Sequence, residues 1–517
     1  MADSSAGAQK GSKKTSRHTE VERKFEVTES TVSPSFAGLS AVSRVERLPI
    51  QHLDAVYFDT PGRDLAAHRV TLRRRTGGED AGWHLKLPAG PDARTEVRQP
   101  LDDADTVPES LRDVVLAIVR DRPLAPVARI STQRTVDLLF GPDDSPLAEF
   151  CDDQVTATAG EDGDEQRWRE WELELAEGAV DDGRAGAELL DRLANRLFDA
   201  GATPAGHGSK LARVLDTSGD EPADTDGDGD GRAVDPIHAA VAEQVDELVV
   251  WDRAVRADVY DSVHQMRVVT RKIRSLLQSA EGAFGISDDA WVLEELKQLA
   301  AVLGVARDAE VLAEKYEEAL AGLPAELVRG PVRERLVEGA KKRYDAGLRR
   351  SLIAMRSQRY FRLLDALDGL VAAEPPAPRP GEELAPVSID SAYKKVKKAT
   401  KAARAAAEDD DLEQAEQDEA LHKIRKRAKR LRYTAAATGE SKVAERAKAV
   451  QSLLGDHQDS VVSRVHLHQQ ADAAHAAGED TFTYGLLFAH EDAVAKEAEE
   501  QLGDALDKLH KAVRKAD

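Results

Sequence analysis

Between about residues 18 and 215, apolar and polar positions alternate in short runs punctuated by Gly, Pro and Asp, the period-two pattern of β-strands with one face buried. One stretch departs from it: Leu189, Leu193 and Leu197 recur every four residues, which predicts a helix. This half predicts an α+β or barrel-like domain. Beyond about residue 235 strand signals nearly vanish and the chain becomes rich in Ala, Leu, Glu and Arg, the composition of helix bundles. The run EPPAPRPGEELAP at 374–386 breaks it once, so the bundle divides in two. Between the regions, DTSGDEPADTDGDGDGRAV at 216–234 has too little apolar content to fold and reads as an acidic linker. The predicted organisation is a disordered tail at 1–17, a strand domain at 18–215, the linker at 216–234 and a helical domain at 235–512, with halves at about 235–372 and 388–512.

The helical halves repeat. VHQMRVVTRKIRSLL at 263–277 aligns without gaps on LHKIRKRAKRLRYTA at 421–435, and LGVARDAEV at 303–311 matches LGDHQDSVV at 454–462 in the same order. A duplicated helical unit related by pseudo-symmetry is expected.

Within the strand domain, charges occupy alternate positions and hence single faces. EVERK places Glu20, Glu22 and Lys24 together; TLRRR gives Arg73 and Arg75; WHLKL gives His84 and Lys86; RTEVR gives Arg94, Glu96 and Arg98; REWELEL gives Glu170, Glu172 and Glu174, with Trp171, Leu173 and Leu175 opposite. A solvated face explains any one such strand. Five together, with carboxylates on the first and last and bases between, fit a barrel interior that holds metal ions and phosphates. Mg²⁺ and Mn²⁺ are hard cations that take oxygen ligands, so Glu20, Glu22, Glu172 and Glu174 suit them without any Cys or His. Lys and Arg then neutralise phosphate, and phosphoryl transfer needs chiefly positioning and charge stabilisation.

Charge and cysteine usage bound the partners. The net charge is −23 across 517 residues, which by itself repels polyanions, yet the charges are segregated. Seven acids and no base lie between Asp216 and Asp230, whereas seven bases and no acid lie between Leu421 and Tyr433. Net charge is therefore a poor guide to any one site. Cys151 stands alone and no Cys/His spacing suggests zinc. The Ser/Gly/Lys-rich start lacks an apolar core of the secretory type and no apolar run is long enough to span a bilayer, so a reducing, cytoplasmic setting and no membrane partner are expected.

The strand motifs resemble the CYTH family, the triphosphate tunnel metalloenzymes. EVERK is similar to its Glu-x-Glu-x-Lys signature, TLRRR to its basic strand, HLKL to its lysine strand and WELEL to its paired acidic strand, and Ser209, Lys210 and Arg213 resemble its closing Ser-Lys-x-x-Arg. The resemblance implies an eight-stranded antiparallel tunnel and hydrolysis of inorganic triphosphate, thiamine triphosphate or RNA 5′-triphosphates, or cyclisation of ATP. It implies Mg²⁺ or Mn²⁺ on Glu20, Glu22, Glu149, Glu172 and Glu174. Substrate would lie on Lys24, Arg73, Arg75, Lys86, Arg98, Arg134, Lys210 and Arg213, with Lys24 and Glu172 nearest the chemistry. At two places the pattern leaves alternatives: Arg129 or Arg134, and Glu149 or Asp152. The intervals near Arg129 and Arg134 mix odd and even, so a bulge is needed or one of the two faces outward.

In the helical half, His264, Arg267, Arg271 and Arg274 form a stripe at offsets 0, 3, 7 and 10, repeated by His422, Arg425, Lys429 and Arg432. Val263, Met266 and Ile273, like Leu421, Ile424 and Leu431, hold the neighbouring core face. Stacked like charges destabilise an isolated helix by a few tenths of a kcal/mol per pair, roughly, and an anionic ligand relieves this. These blocks resemble the CHAD family of histidine-containing helical domains, which implies binding of inorganic polyphosphate and polyphosphate granules as partners. Asp308 and Asp459 are expected at helix N-termini, orienting a neighbouring base. His457 faces Ala306 in the alignment, so no symmetric role is expected for it.

Two signals carry less. Asp224, Asp226, Asp228 and Gly229 open like a calcium loop, but position twelve is Asp235 and a flexible linker fits better. Aromatic residues are 4% of the chain, which gives base stacking little to work with and disfavours nucleic acid. The expected function is a metal-dependent triphosphatase with a polyphosphate-binding helical domain. A non-catalytic polyphosphate-binding or granule-associated scaffold is the alternative, and a nucleotide cyclase a third reading, for which no adenine pocket is identifiable.

Overall fold

β1 (Ser16–Val27) changes partner halfway along: its first six residues pair antiparallel with β6 (Ala93–Gln99) and its last six with β9 (Glu165–Leu175). That switch closes a sheet into a barrel, because β6 leads through β5 (Gly82–Pro88), β4 (Thr71–Thr76), β3 (Gln51–Asp59), β7 (Ala125–Phe140) and β8 (Pro146–Ala159) back to β9. The ring is an eight-stranded antiparallel barrel without a free edge among its own strands. Two short strands lie off it, β2 (Arg44–Arg47) on β7 and β10 (Thr203–Pro204) on β1. The protein's structure here is a computed structural model that describes residues 16–90, 92–102, 105–160, 163–176, 178, 183–215, 236–279, 290–373, 389–409 and 412–516. The acidic linker, the calcium-loop-like segment and the Pro-rich break lie outside the described residues.

Local chemistry explains the barrel's corners. Gly77 follows β4 at φ 78°, and a Cβ there would lie 2.0 Å from the His52 carbonyl oxygen, so only glycine makes that turn. Outside the wall, α1 (Gly183–Asp199) lays Leu189, Leu190, Leu193 and Leu197 on Phe25, Phe150, Trp171 and Leu173. Burying each such side chain is worth roughly 1.5–3 kcal/mol, which holds the acidic strand β9 with its glutamates turned inward. The second helix, α2 (Lys210–Val214), starts where Ser209 Oγ accepts the Ala212 amide at 3.1 Å. Leu211, Val214 and Leu215 then pack on inward-facing Ala55, Ile130, Val155 and Ala157, so an apolar stopper fills one end of the barrel.

The helical region contains α3 (Pro236–Arg256), α4 (Ser262–Ser279), α5 (Trp291–Ala321), α6 (Gly339–Ala354), α7 (Gln358–Ala372), α8 (Ile389–Ala407), α9 (Gln414–Ala437), α10 (Ser441–Ala476) and α11 (Phe482–Ala516). By compactness the chain divides into two units: Met1–Val234 with Val249–Val259 and Arg356–Asp365, and Asp235–Leu248 with Tyr260–Met355 and Ala366–Asp517. In the second, α8 to α11 share a core around Val396, Ile424, Leu431, Val450, Leu454 and Leu509. The α5 and α10 ends share a core through Tyr316, Leu320 and Leu467, joined by Tyr484 of α11. Asp308 and Asp459 lie within α5 and α10 and not at helix N-termini, which corrects that expectation: both helices run on for about five turns before these residues are reached. Among the described residues no helix is long and apolar enough to cross a membrane.

Candidate functional site

Cross-strand register decides which charges share the barrel interior. Glu22 faces Glu174, Lys24 faces Glu172, Lys86 faces Glu96 and Arg73 faces His84, and each pair directly opposite lies on one face. Glu20, Glu22 and Glu172 are buried, as are Arg75, His84, Glu96 and Lys210. The register also separates the alternatives on β7. Arg134 points inward and donates to both oxygens of Asp153 at 2.8 and 2.6 Å, whereas Arg129 is exposed on the outer face against Asp54.

The interior sorts its charges. On one side three guanidiniums crowd: Arg75 is pushed down to about 9 by burial, then by Arg73 and Arg134, although it also meets Asp80. Arg73 donates to the Tyr57 hydroxyl at 3.3 Å and has no carboxylate partner among the described residues. On the other side carboxylates crowd: burial, followed by Glu20, Glu22 and Glu149, pushes Glu174 up to about 8. Glu22 behaves oppositely, since Lys24 and Lys86 overcome its burial and hold it at about 2. Glu149 itself is exposed, across from Glu174, and Asp152 faces outward to Arg169 and Ser33.

Between these groups, ammonium ions bridge. Lys24 Nζ lies 2.7 Å from Glu22 and 2.9 Å from Glu172, and Lys86 bonds Glu20. Lys210 reaches from the stopper to Asp153, Glu170 and Glu172 at 2.8, 2.7 and 2.8 Å. Both Lys24 and Lys210 have raised pKa values, because paired carboxylates overcome burial, and Glu172 is held well below its ordinary value. Both shifts favour the ionised forms of Lys24 and Glu172 at neutral pH. Arg98 sits half-exposed at the rim, 3.3 Å from Glu20. Arg213 is not brought to these groups: it lies at the stoppered end, 4.7 Å over Trp168 and 3.4 Å from Glu26.

Two tight acidic groups have the spacing of metal ligands, His18 with Glu20 and Glu96, and Asp153 with Glu170 and Glu172. The second already holds the Lys210 ammonium at its centre, which supplies the positive charge a cation would bring. A third acidic group is where Glu20, Glu22, Glu149 and Glu174 converge: burial and then the like charges of the other three push Glu174 up to about 8, a repulsion that a divalent ion would relieve. Asp153 and His18 were missed by sequence reasoning, and Glu96 and Glu170 were seen only as members of alternating strands. The Asp153 signal was its register with Glu170, which needs the pairing of β8 with β9.

In the second unit, the two basic stripes come together. Burial, then Arg271, Arg425, Arg432 and Arg267, pushes Lys429 down to about 8, and Arg271 is lowered by burial, Arg267 and Arg425. Among the described residues Arg271, Arg425 and Lys429 have no salt bridge. Arg267 meets Asp308 at 3.1 Å, and Arg432 donates to Gln451 at 3.2 Å. His264 and His422 are both lowered, mainly by burial, and Arg274 Nε is buried without a hydrogen-bond partner among the described residues. His457 is buried beside Glu499 at 2.9 Å, where Ala306 leaves the first repeat with no counterpart.

Comparison with known proteins places both halves. Residues 18–203 match the CYTH domain and residues 239–468 the CHAD domain. Uncharacterized proteins of Mycobacterium tuberculosis are 63% identical over 513 residues, covering 97% of this chain and 98% of theirs. Among solved structures, PptA from Streptomyces chartreusis matches with a TM-score of 0.42 at 19% identity, over 52% of this chain and 98% of its own. The CHAD domain from the plant Ricinus communis matches with a TM-score of 0.38 at 21% identity, over 53% and 90%.

Proposed function

The chain belongs to the proteins that join a CYTH domain to a CHAD domain, and on that premise we propose that it is a metal-dependent triphosphatase whose helical domain binds inorganic polyphosphate. The CYTH family is metal-dependent and includes triphosphatases and cyclases. One observation carries the reading: a single closed barrel sorts its charges, crowding the guanidiniums of Arg73, Arg75 and Arg134 on one side and the carboxylates of Glu20, Glu22 and Glu174 on the other, with Arg73 and Glu174 lacking a salt bridge among the described residues. A triphosphate and a divalent cation are complementary to the two sides together.

Arg73, Arg75, Arg134 and Lys86 bind and orient phosphate oxygens, where charge-assisted bonds are strongest. Glu20, Glu22, Glu174 and Glu149 would hold Mg²⁺ or Mn²⁺, which when bound supplies Lewis-acid polarisation of phosphoryl oxygens. Lys24 keeps Glu22 and Glu172 ionised and apart from one another. The stopper of α2 excludes water from one end, so substrate and product share the other. In the helical domain, Arg267, Arg271, Arg425 and Lys429 face a polyanion whose binding falls steeply with salt. The protein acts in the cytoplasm, on inorganic triphosphate and polyphosphate, at polyphosphate granules. Phosphate release from tripolyphosphate, thiamine triphosphate, ATP and long-chain polyphosphate, with and without Mg²⁺ or Mn²⁺, tests the reading. Absence of hydrolysis with every pair, from a folded protein that binds polyphosphate, would leave a scaffold role instead.

A further inference from the structure

The repeated Leu-Gly pairs, Leu303-Gly304 and Leu454-Gly455, sit in the interior of long helices, where glycine weakens a helix relative to alanine. Neither has positive φ, so the backbone does not require glycine. What each one faces is the same. A Cβ built on Gly304 would lie 3.4 Å from the Arg267 guanidinium carbon, and one on Gly455 would lie 3.4 Å from an Arg425 guanidinium nitrogen. Arg267 and Arg425 are equivalent members of the two basic stripes. On each side an aspartate follows one turn beyond the glycine: Asp308, bonded to Arg267 at 3.1 Å, and Asp459, whose ionisation Arg425 favours. Other helical glycines differ. Gly369 and Gly503 have nothing within 4 Å of an added Cβ, and Gly347 faces the Ala306 backbone at 2.8 Å, a helix-to-helix contact.

We infer that Gly304 and Gly455 are positioning residues for polyanion binding: each leaves a bare patch of helix on which the guanidinium of Arg267 or Arg425 lies, with Asp308 bonded to Arg267 at the edge of the first patch. The inference rests on the reading of the helical domain as a polyphosphate binder. A free arginine on a helix surface samples many rotamers, and fixing it beforehand removes an entropy loss from binding. The bare helix supplies that fixing without a competing anion across the whole guanidinium, so Arg425 keeps its donors for the ligand. It also lets two arginines approach Lys429 and Arg271 from both repeats, which is the arrangement the like-charge shifts report.

The test compares glycine replacements in the full-length protein. Alanine at 304 and 455 adds only a Cβ at ordinary contact distance, so long-chain polyphosphate affinity should stay close to that of the unaltered protein. Leucine extends past Cβ into the guanidinium's place, so G304L with G455L should lower affinity about tenfold or more, as expected when charge-assisted bonds are misplaced. The same change at Gly369 and Gly503 should leave affinity unchanged. Without ligand, the unfolding temperature should rise more for Leu at 369 and 503 than for Leu at 304 and 455, where the guanidinium must leave the helix. Wild-type affinity retained by G304L with G455L would overturn the positioning role and leave polyphosphate binding intact. Failure of the unaltered protein to bind polyphosphate would remove the reading of the domain, and the unfolding comparison would then decide the positioning role by itself: equal gains at both pairs overturn it, a smaller gain at 304 and 455 supports it.

Discussion

Lys210 Nζ lies 2.8 Å from Glu172 Oε1, joining the first residue of the stopper helix to the acidic strand across the barrel interior. The same ammonium holds Asp153 and Glu170, and all four groups are buried. Removing one partner of a buried ion pair leaves uncompensated charge and costs about 3–5 kcal/mol. Lys210→Met should therefore destabilise the barrel by about that much. Urea unfolding followed by tryptophan fluorescence reads this directly, and a change below about 1 kcal/mol, the range of surface pairs, would show that the stopper is not tied to the wall.

Arg134 and Arg129 test the register of β7. Arg134→Ala removes a buried guanidinium from Asp153 and Glu172, and should lower both stability and triphosphate turnover. Arg129→Ala breaks an exposed pair with Asp54 and should change stability by less than about 1 kcal/mol, with turnover unchanged. Equal effects of the two changes on turnover would mean the strand faces are reversed.

The contrast between these arginines shows what the sequence could and could not carry. Period-two charge on β1, β4, β5, β6 and β9 was readable because the charges recur at alternate positions on each of those strands, although Arg23 on β1 and Arg74 on β4 charge the other face as well. Strand β8 was not, since Cys151 and Asp153 are buried on one side while Ala148 and Phe150 are buried on the other, so both faces look like core. Its alternatives, Glu149 and Asp152, stand an odd interval apart and so lie on opposite faces, and which of them faces inward needs the pairing of β8 with β9, where Glu149 meets Glu174 and Asp152 meets Trp171. Arg213 belongs to a helix and not a strand, and its distance from the tunnel charges follows from the rotation of that helix. The helical stripes were legible from period alone, but their convergence needed the tertiary structure, which brings Arg267 and Arg271 within electrostatic reach of Lys429.

On the proposed reading, Lys429 should make polyphosphate binding depend on pH. Its ordinary value of 10.5 falls to about 8 in the folded protein, through burial and then through Arg271, Arg425, Arg432 and Arg267. In that window the folded chain binds fewer protons than the unfolded one, so the ligand-free protein should gain stability as pH rises from about 8 towards 10.5. A polyanion favours the charged form, so binding above about pH 8 takes up a proton and affinity falls as pH rises further. Calorimetry in buffers of different ionisation heat should detect that uptake, and Lys429→Arg should abolish it. A pH-independent affinity between 8 and 10 would place Lys429 away from the ligand.

The most direct test of the central claim is phosphate release from tripolyphosphate by the unaltered protein and by Glu20→Gln, Glu22→Gln and the double variant, with Mg²⁺ or Mn²⁺ and with EDTA. Each change deletes ligand charge at nearly constant volume, so the barrel should still fold. Loss of a partner beyond a metal's direct ligands lowers activity about 10–100-fold, and loss of a direct ligand should exceed that. Release should require the divalent ion and fall more than about a hundredfold in each variant while circular dichroism is unchanged. Full release in EDTA, or undiminished release from the folded double variant, would contradict it.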